Sequence, residues 1–95
     1  MSLFTVAHFH CLAGRGPEVE AFLAPLVEPT TSEDGCVYYR YFRDTSDPDH
    51  FVFWEQWRDD DALDTHIGTA RVQSMLVSVQ PLLAAPVAAY RLSLR

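Results

Sequence analysis

From Leu3 to Cys11 the chain is crowded with β-branched and aromatic residues, and this run stops at Gly14-Arg15-Gly16-Pro17. It predicts a strand followed by a turn whose proline suits the first position of a helix. Val19, Phe22, Leu23, Leu26 and Val27 then recur at i, i+3, i+4, i+7 and i+8, the spacing of one buried helical stripe. Pro25 sits inside that stripe and removes a backbone donor, which predicts a kink, with the end of the helix near Pro29. Gly35 opens Cys36 to Phe42, a run too short and aromatic for a helix, and the polar cluster Asp44 to Asp49 closes it as a hairpin turn. Phe51 to Trp57 forms a third strand. Asp59 to Asp61 supply an N-cap and acids for the start of a second helix, whose apolar face opens with Leu63 and Ile67. Gly68-Thr69 breaks that helix. It resumes with Val72, Met75, Leu76 and Val79 and ends at Pro81, and residues 86 to 94 read as a fourth strand.

The order βαββαβ predicts an α+β fold of ferredoxin-like plan, a four-stranded antiparallel sheet with helices on one face. In the third strand Phe51, Phe53 and Trp57 share one parity and Val52 and Trp54 the other, so both sheet faces carry large apolar groups. Helices cover one face; a homodimer packed sheet on sheet, a dimeric α+β barrel, would cover the other.

Ninety-five residues leave room for a single domain, 1–95, with a small core. Thirteen acidic residues against seven basic ones give a net charge of −6, which disfavours nucleic acid and anionic membrane as partners. Every basic residue is arginine, so lysine Schiff-base chemistry is excluded. The two cysteines, Cys11 and Cys36, have no metal or redox spacing, and the start of the chain lacks a basic region and a long apolar run; both features predict a cytoplasmic protein.

The stretches Glu33-Asp34-Gly35-Cys36-Val37-Tyr38-Tyr39, Asp47-Pro48-Asp49-His50-Phe51, Glu55-Gln56-Trp57-Arg58-Asp59 and Ala62-Leu63-Asp64-Thr65-His66 resemble the antibiotic biosynthesis monooxygenase domain family. The resemblance covers most of the chain and implies a dimeric α+β barrel that oxygenates electron-rich quinol-type or polycyclic substrates. In several members this proceeds without flavin, haem or metal, so no cofactor is expected. The haem-degrading branch is disfavoured: it relies on an asparagine, a tryptophan and a histidine, and this chain has no asparagine, while His66 stands where that branch carries its tryptophan.

His66 lies four residues after Ala62 and three after Leu63, on the stripe facing the sheet. An imidazole can accept a proton near neutral pH, which is what cofactor-free oxygenation requires. His66 is therefore the candidate base that deprotonates or orients a phenol or enol, the resulting anion passing an electron to O2. The alternative is a buried histidine bonded to a neighbouring strand. Glu55 shares the parity of Phe51, Phe53 and Trp57, so it needs a donor or a proton; it is expected to orient His66 or to pair with Arg40 on the adjacent strand. Tyr39, Trp54 and Arg40 are the candidate substrate contacts, with the aromatics able to stack on a ring; otherwise they belong to core or interface.

His8 and His10 alternate onto one face of the first strand and could begin a metal site, but no third ligand is visible and no metal is expected. The eight acids between Asp44 and Asp64 read as a solvated face with capping duties. Gly14-Arg15-Gly16 is too short for a phosphate-binding loop. The sequence thus predicts a monooxygenase acting with O2 on a small aromatic quinol or anthrone. The competing class is a non-catalytic dimeric ligand-binding or scaffold domain of the same fold.

Overall fold

Four strands pair antiparallel throughout in the computed structural model, which describes residues 2–95. Met1, the first residue of the expected span 1–95, lies outside the described residues. The strands are β1 (Leu3–His10), β2 (Cys36–Arg43), β3 (His50–Trp57) and β4 (Ala88–Leu92), in the sheet order β2-β3-β1-β4. The helices are α1 (Gly16–Leu23), α2 (Val27–Thr31), α3 (Asp60–Ile67) and α4 (Ala70–Val79), all on one side of the sheet. This is the ferredoxin-like α+β plan, with each expected helix divided in two.

Both divisions have local causes. Pro25 cannot donate to the preceding turn, and the chain tightens into a 3-10 turn over Ala24–Leu26 before α2 resumes. Val19, Leu23 and Leu26 are buried as expected, while Phe22, at the margin of their stripe, is exposed. Between α3 and α4, Thr69 takes an extended conformation and its hydroxyl accepts from Val72 N–H as an N-cap while donating to the His66 carbonyl. Asp59 caps α3 by accepting from Ala62 N–H at 2.8 Å. Thus the acidic run is partly employed in capping. Asp60 and Asp64 also hold the Arg91 guanidinium of β4 at 2.7 and 2.6 Å, clipping α3 to the sheet edge.

The period-2 pattern holds along β1 and β3, whereas β4 is exposed from Ala89 onward. Phe51, Phe53, Glu55 and Trp57 of β3 turn inward with Ala7 and Phe9 of β1, Tyr39 of β2, and Leu63, Val72, Met75 and Val79 of the helices. On the opposite face Tyr38, Phe42, Trp54, Tyr90 and Leu92 are exposed. A register shift between Cys36 and Tyr38 inserts Val37 as an extra residue opposite β3. Just before it, Gly35 has φ +87°, and a Cβ there would come within 2.6 Å of the Ala62 Cβ. Only glycine lets this turn press against α3, and that contact sets the distance from the turn to the helix. The fourth strand is shorter than expected, 88 to 92 instead of 86 to 94.

Candidate active site

Between the inner sheet face and helices α3 and α4 lies a cavity of about 290 Å³. Three polar side chains reach it, Tyr39, Glu55 and His66; the rest of its lining is apolar, including Phe9, Phe53, Leu63 and Met75. Strand register brings the first two together, since Tyr39 on β2 pairs with Glu55 on β3. Helix phase brings the third: His66 lies on the buried stripe with Ala62 and Leu63 and is 4% exposed. Its ring packs 4.6 Å from Trp57 and 5.2 Å from Tyr39, centroid to centroid.

The partner of His66 is Glu33, in the turn before β2, whose Oε2 lies 3.0 Å from Nδ1. A carboxylate accepts only, so Nδ1 carries the proton and the neutral ring keeps its lone pair on Nε2. Arg71 of α4 grips the same Glu33 oxygen and fixes the carboxylate in place. Burial lowers the His66 pKa below its ordinary 6.5, although Glu33 pulls the other way. The ring is therefore an uncharged base at neutral pH.

Glu55 has neither of its expected partners. Its Oε1 accepts from Trp57 Nε1 at 2.8 Å, on the same strand face. Burial pushes its pKa up to about 7, against the Trp57 hydrogen bond and with help from the Glu33 charge. The carboxyl thus sits at the boundary between proton donor and acceptor. Burial, with Glu55 alongside, also raises the Tyr39 phenol well above its ordinary value, so it stays a hydrogen-bond donor.

Arg40 and Trp54 lie elsewhere. They pair with each other across β2 and β3 and project from the opposite face, because each follows or precedes an inward residue by one position. Trp54 helps to line a shallow hollow of about 700 Å³ with Tyr38, Phe42 and Val52. The sheet therefore separates them from His66, and Arg40 cannot pair with Glu55. Reading the sequence also missed Glu33 and Arg71, which no local spacing connects to His66. The signal was available only as an acid preceding the Gly35 turn, whose left-handed glycine turns the chain toward α3. On the outer face, His50 joins His8 and His10 as a third imidazole, and among the described residues these three form a group that could hold a metal.

Known proteins match this chain in sequence and in fold. A family model described as antibiotic biosynthesis monooxygenase matches residues 2–76. The chain is 36% identical over 70 residues to sll1783 of Synechocystis sp.; the match covers 70% of this chain and 48% of that protein, so the chain spans about half of that relative's length. It is 32% identical over 69 residues to "Putative monooxygenase YcnE" of Bacillus subtilis, covering 73% of each. The structure of Rv0793 from Mycobacterium tuberculosis superposes with a TM-score of 0.93 at 27% identity, over 100% of this chain and 96% of that one.

Proposed function

We propose that this chain, which belongs to the antibiotic biosynthesis monooxygenase family, oxidises a small aromatic quinol or anthrone with O2 in the cavity beside His66, without flavin, haem or metal. The observation that carries this reading is the His66–Glu33 pair: a neutral base with its tautomer fixed, facing an apolar chamber with only two other polar groups. At about 290 Å³ the chamber stands at the small end of ligand pockets, suited to a compact ring system.

His66 Nε2 takes a proton from the substrate, and the apolar lining leaves the resulting anion poorly solvated and electron-rich. One electron passes to O2, the two radicals combine at carbon, and a peroxide forms. For an anthrone methylene, loss of water from the peroxide leaves a carbonyl; one oxygen atom enters the product and the other departs in water. His66 returns its proton to the peroxide anion, protonated Glu55 supplies a proton to the departing oxygen as the O–O bond breaks, the Glu55 carboxylate recovers the proton lost from carbon, and Tyr39 donates a hydrogen bond to the substrate oxygen. The exposed aromatic face of the sheet supports a homodimer, and two free thiols support a reduced, cytoplasmic setting.

An oxygen electrode tests the reading with a panel of quinols and anthrones. Uptake above the uncatalysed rate, lost in His66→Ala with the fold intact by circular dichroism, supports it. Ligand binding with no uptake by the unaltered protein would place it among non-catalytic binding domains.

A further inference from the structure

Three imidazoles meet on the sheet face turned away from the helices and from His66. β1 and β3 pair with His10 opposite His50, and His8 lies two residues along the same face. One ring nitrogen from each falls within 4.8 Å of the others, and His8 Nδ1 lies 3.0 Å from His50 Nε2. In a tetrahedral site with metal–nitrogen bonds of about 2.0–2.1 Å, neighbouring donors stand about 3.3 Å apart. The two closest nitrogens are already near that spacing. The rings of His10 and His50 stack at 4.3 Å and lie within 8° of parallel, so the third imidazole is held beside the pair and turns out of the stack to bring its lone pair to a shared ion.

A second feature also points to an ion. His50 Nδ1 lies 2.9 Å from Asp44 Oδ2, across the hairpin turn. The carboxylate accepts the Nδ1 proton, which leaves Nε2 bare and aimed at His8. Metal-bound histidines are oriented in this way by an outer carboxylate. Without an ion, His8 Nδ1 donates its proton to the bare His50 Nε2; a bound ion takes the place of that proton and draws in a His10 nitrogen as the third donor. His8 and His50 are half-buried and His10 is exposed, so the cluster opens to water on one side.

We propose that His8, His10 and His50 bind one divalent transition-metal ion of the zinc class, with Asp44 orienting His50 and solvent completing the coordination. Three neutral nitrogen donors suit zinc, cobalt, nickel or copper and not magnesium or calcium. The site lies across the sheet from the oxygenation cavity and does not depend on the reaction proposed there.

The test uses the full chain without a histidine tag, titrated with Co2+ for its visible spectrum and with Zn2+ by calorimetry. One ion per chain is expected, with micromolar or tighter affinity and an absorption spectrum of nitrogen-ligated cobalt. His10→Gln and His50→Gln should each weaken binding at least tenfold, and Asp44→Asn about 10- to 100-fold. His66→Gln should leave it unchanged. The variants are checked by circular dichroism, and the Zn2+-induced rise in Tm gives an independent readout that should shrink in the His10, His50 and Asp44 variants and persist in His66→Gln. Absence of binding by the unaltered chain, or affinity indifferent to all three substitutions, would overturn the site.

Discussion

His66 Nδ1 and Glu33 Oε2 stand 3.0 Å apart although 33 positions separate them in the chain. The contact spans the gap between α3 and the turn before β2, and through it a distant acid decides which ring nitrogen is basic. Replacing Glu33 with glutamine keeps the shape but offers an amide that can present its NH2 group to the ring and favour the other tautomer. We expect kcat to fall about 10- to 100-fold in Glu33→Gln, against about 10²- to 10⁴-fold in His66→Ala, with KM altered less than kcat in both. Steady-state oxygen uptake measures this; full activity in Glu33→Gln would exclude tautomer control.

The pH profile follows from two opposed groups. His66 acts unprotonated and titrates below its ordinary 6.5, so the rate should rise through an acid limb lying under that value. Glu55 acts protonated, with a pKa pushed to about 7, so the rate should fall as pH climbs past 7. A bell with its maximum between these limbs is expected for kcat/KM. Glu55→Gln should lower the rate and remove the alkaline limb only; persistence of that limb would assign it to another group.

Glu55 also ties stability to pH. Its folded pKa of about 7 exceeds its ordinary 4.5, so the folded state holds the proton more tightly. That contribution is complete below pH 4.5, declines as pH rises through the interval up to 7, and is absent above it. The difference between these two values corresponds to an upper bound of about 3 kcal/mol. Glu55→Gln, neutral at every pH, should accordingly match the parent near pH 4 and be more stable by about 1–3 kcal/mol at pH 8. Denaturant titration at the two pH values checks this, and a pH-independent difference would contradict it.

Trp54, 47% exposed amid Tyr38, Phe42 and Tyr90, occupies the middle of the outer apolar face. If two copies meet there, a charge at this position is buried without a partner. Trp54→Glu should shift the chain from dimer to monomer in sedimentation velocity and weaken the association by at least 100-fold. Unchanged sedimentation would show that this face is not the contact.

Much of this arrangement is legible in the linear sequence because it obeys short periods. Alternation along β3 put Phe51, Phe53 and Trp57 inside and Trp54 outside, and helical spacing put His66 over the sheet. What escapes is contact made through turns. Glu33 meets His66, and His50 meets His8, only once the Gly35 turn and the β1–β3 register exist, and neither has a periodic signature. Grouping Arg40 and Trp54 with the site followed their chemical character and not their parity, and parity decides which side of a sheet a residue serves.

The margins of the sheet carry a consequence of their own. One outer strand, β4, has five residues, and the other, β2, is interrupted where Val37 is squeezed out of register. Neither rim offers an incoming chain a long, regular row of free amides, so growth sideways into ribbons is blocked. If two molecules pair instead through the broad aromatic plane, that patch is spent as soon as both have used it.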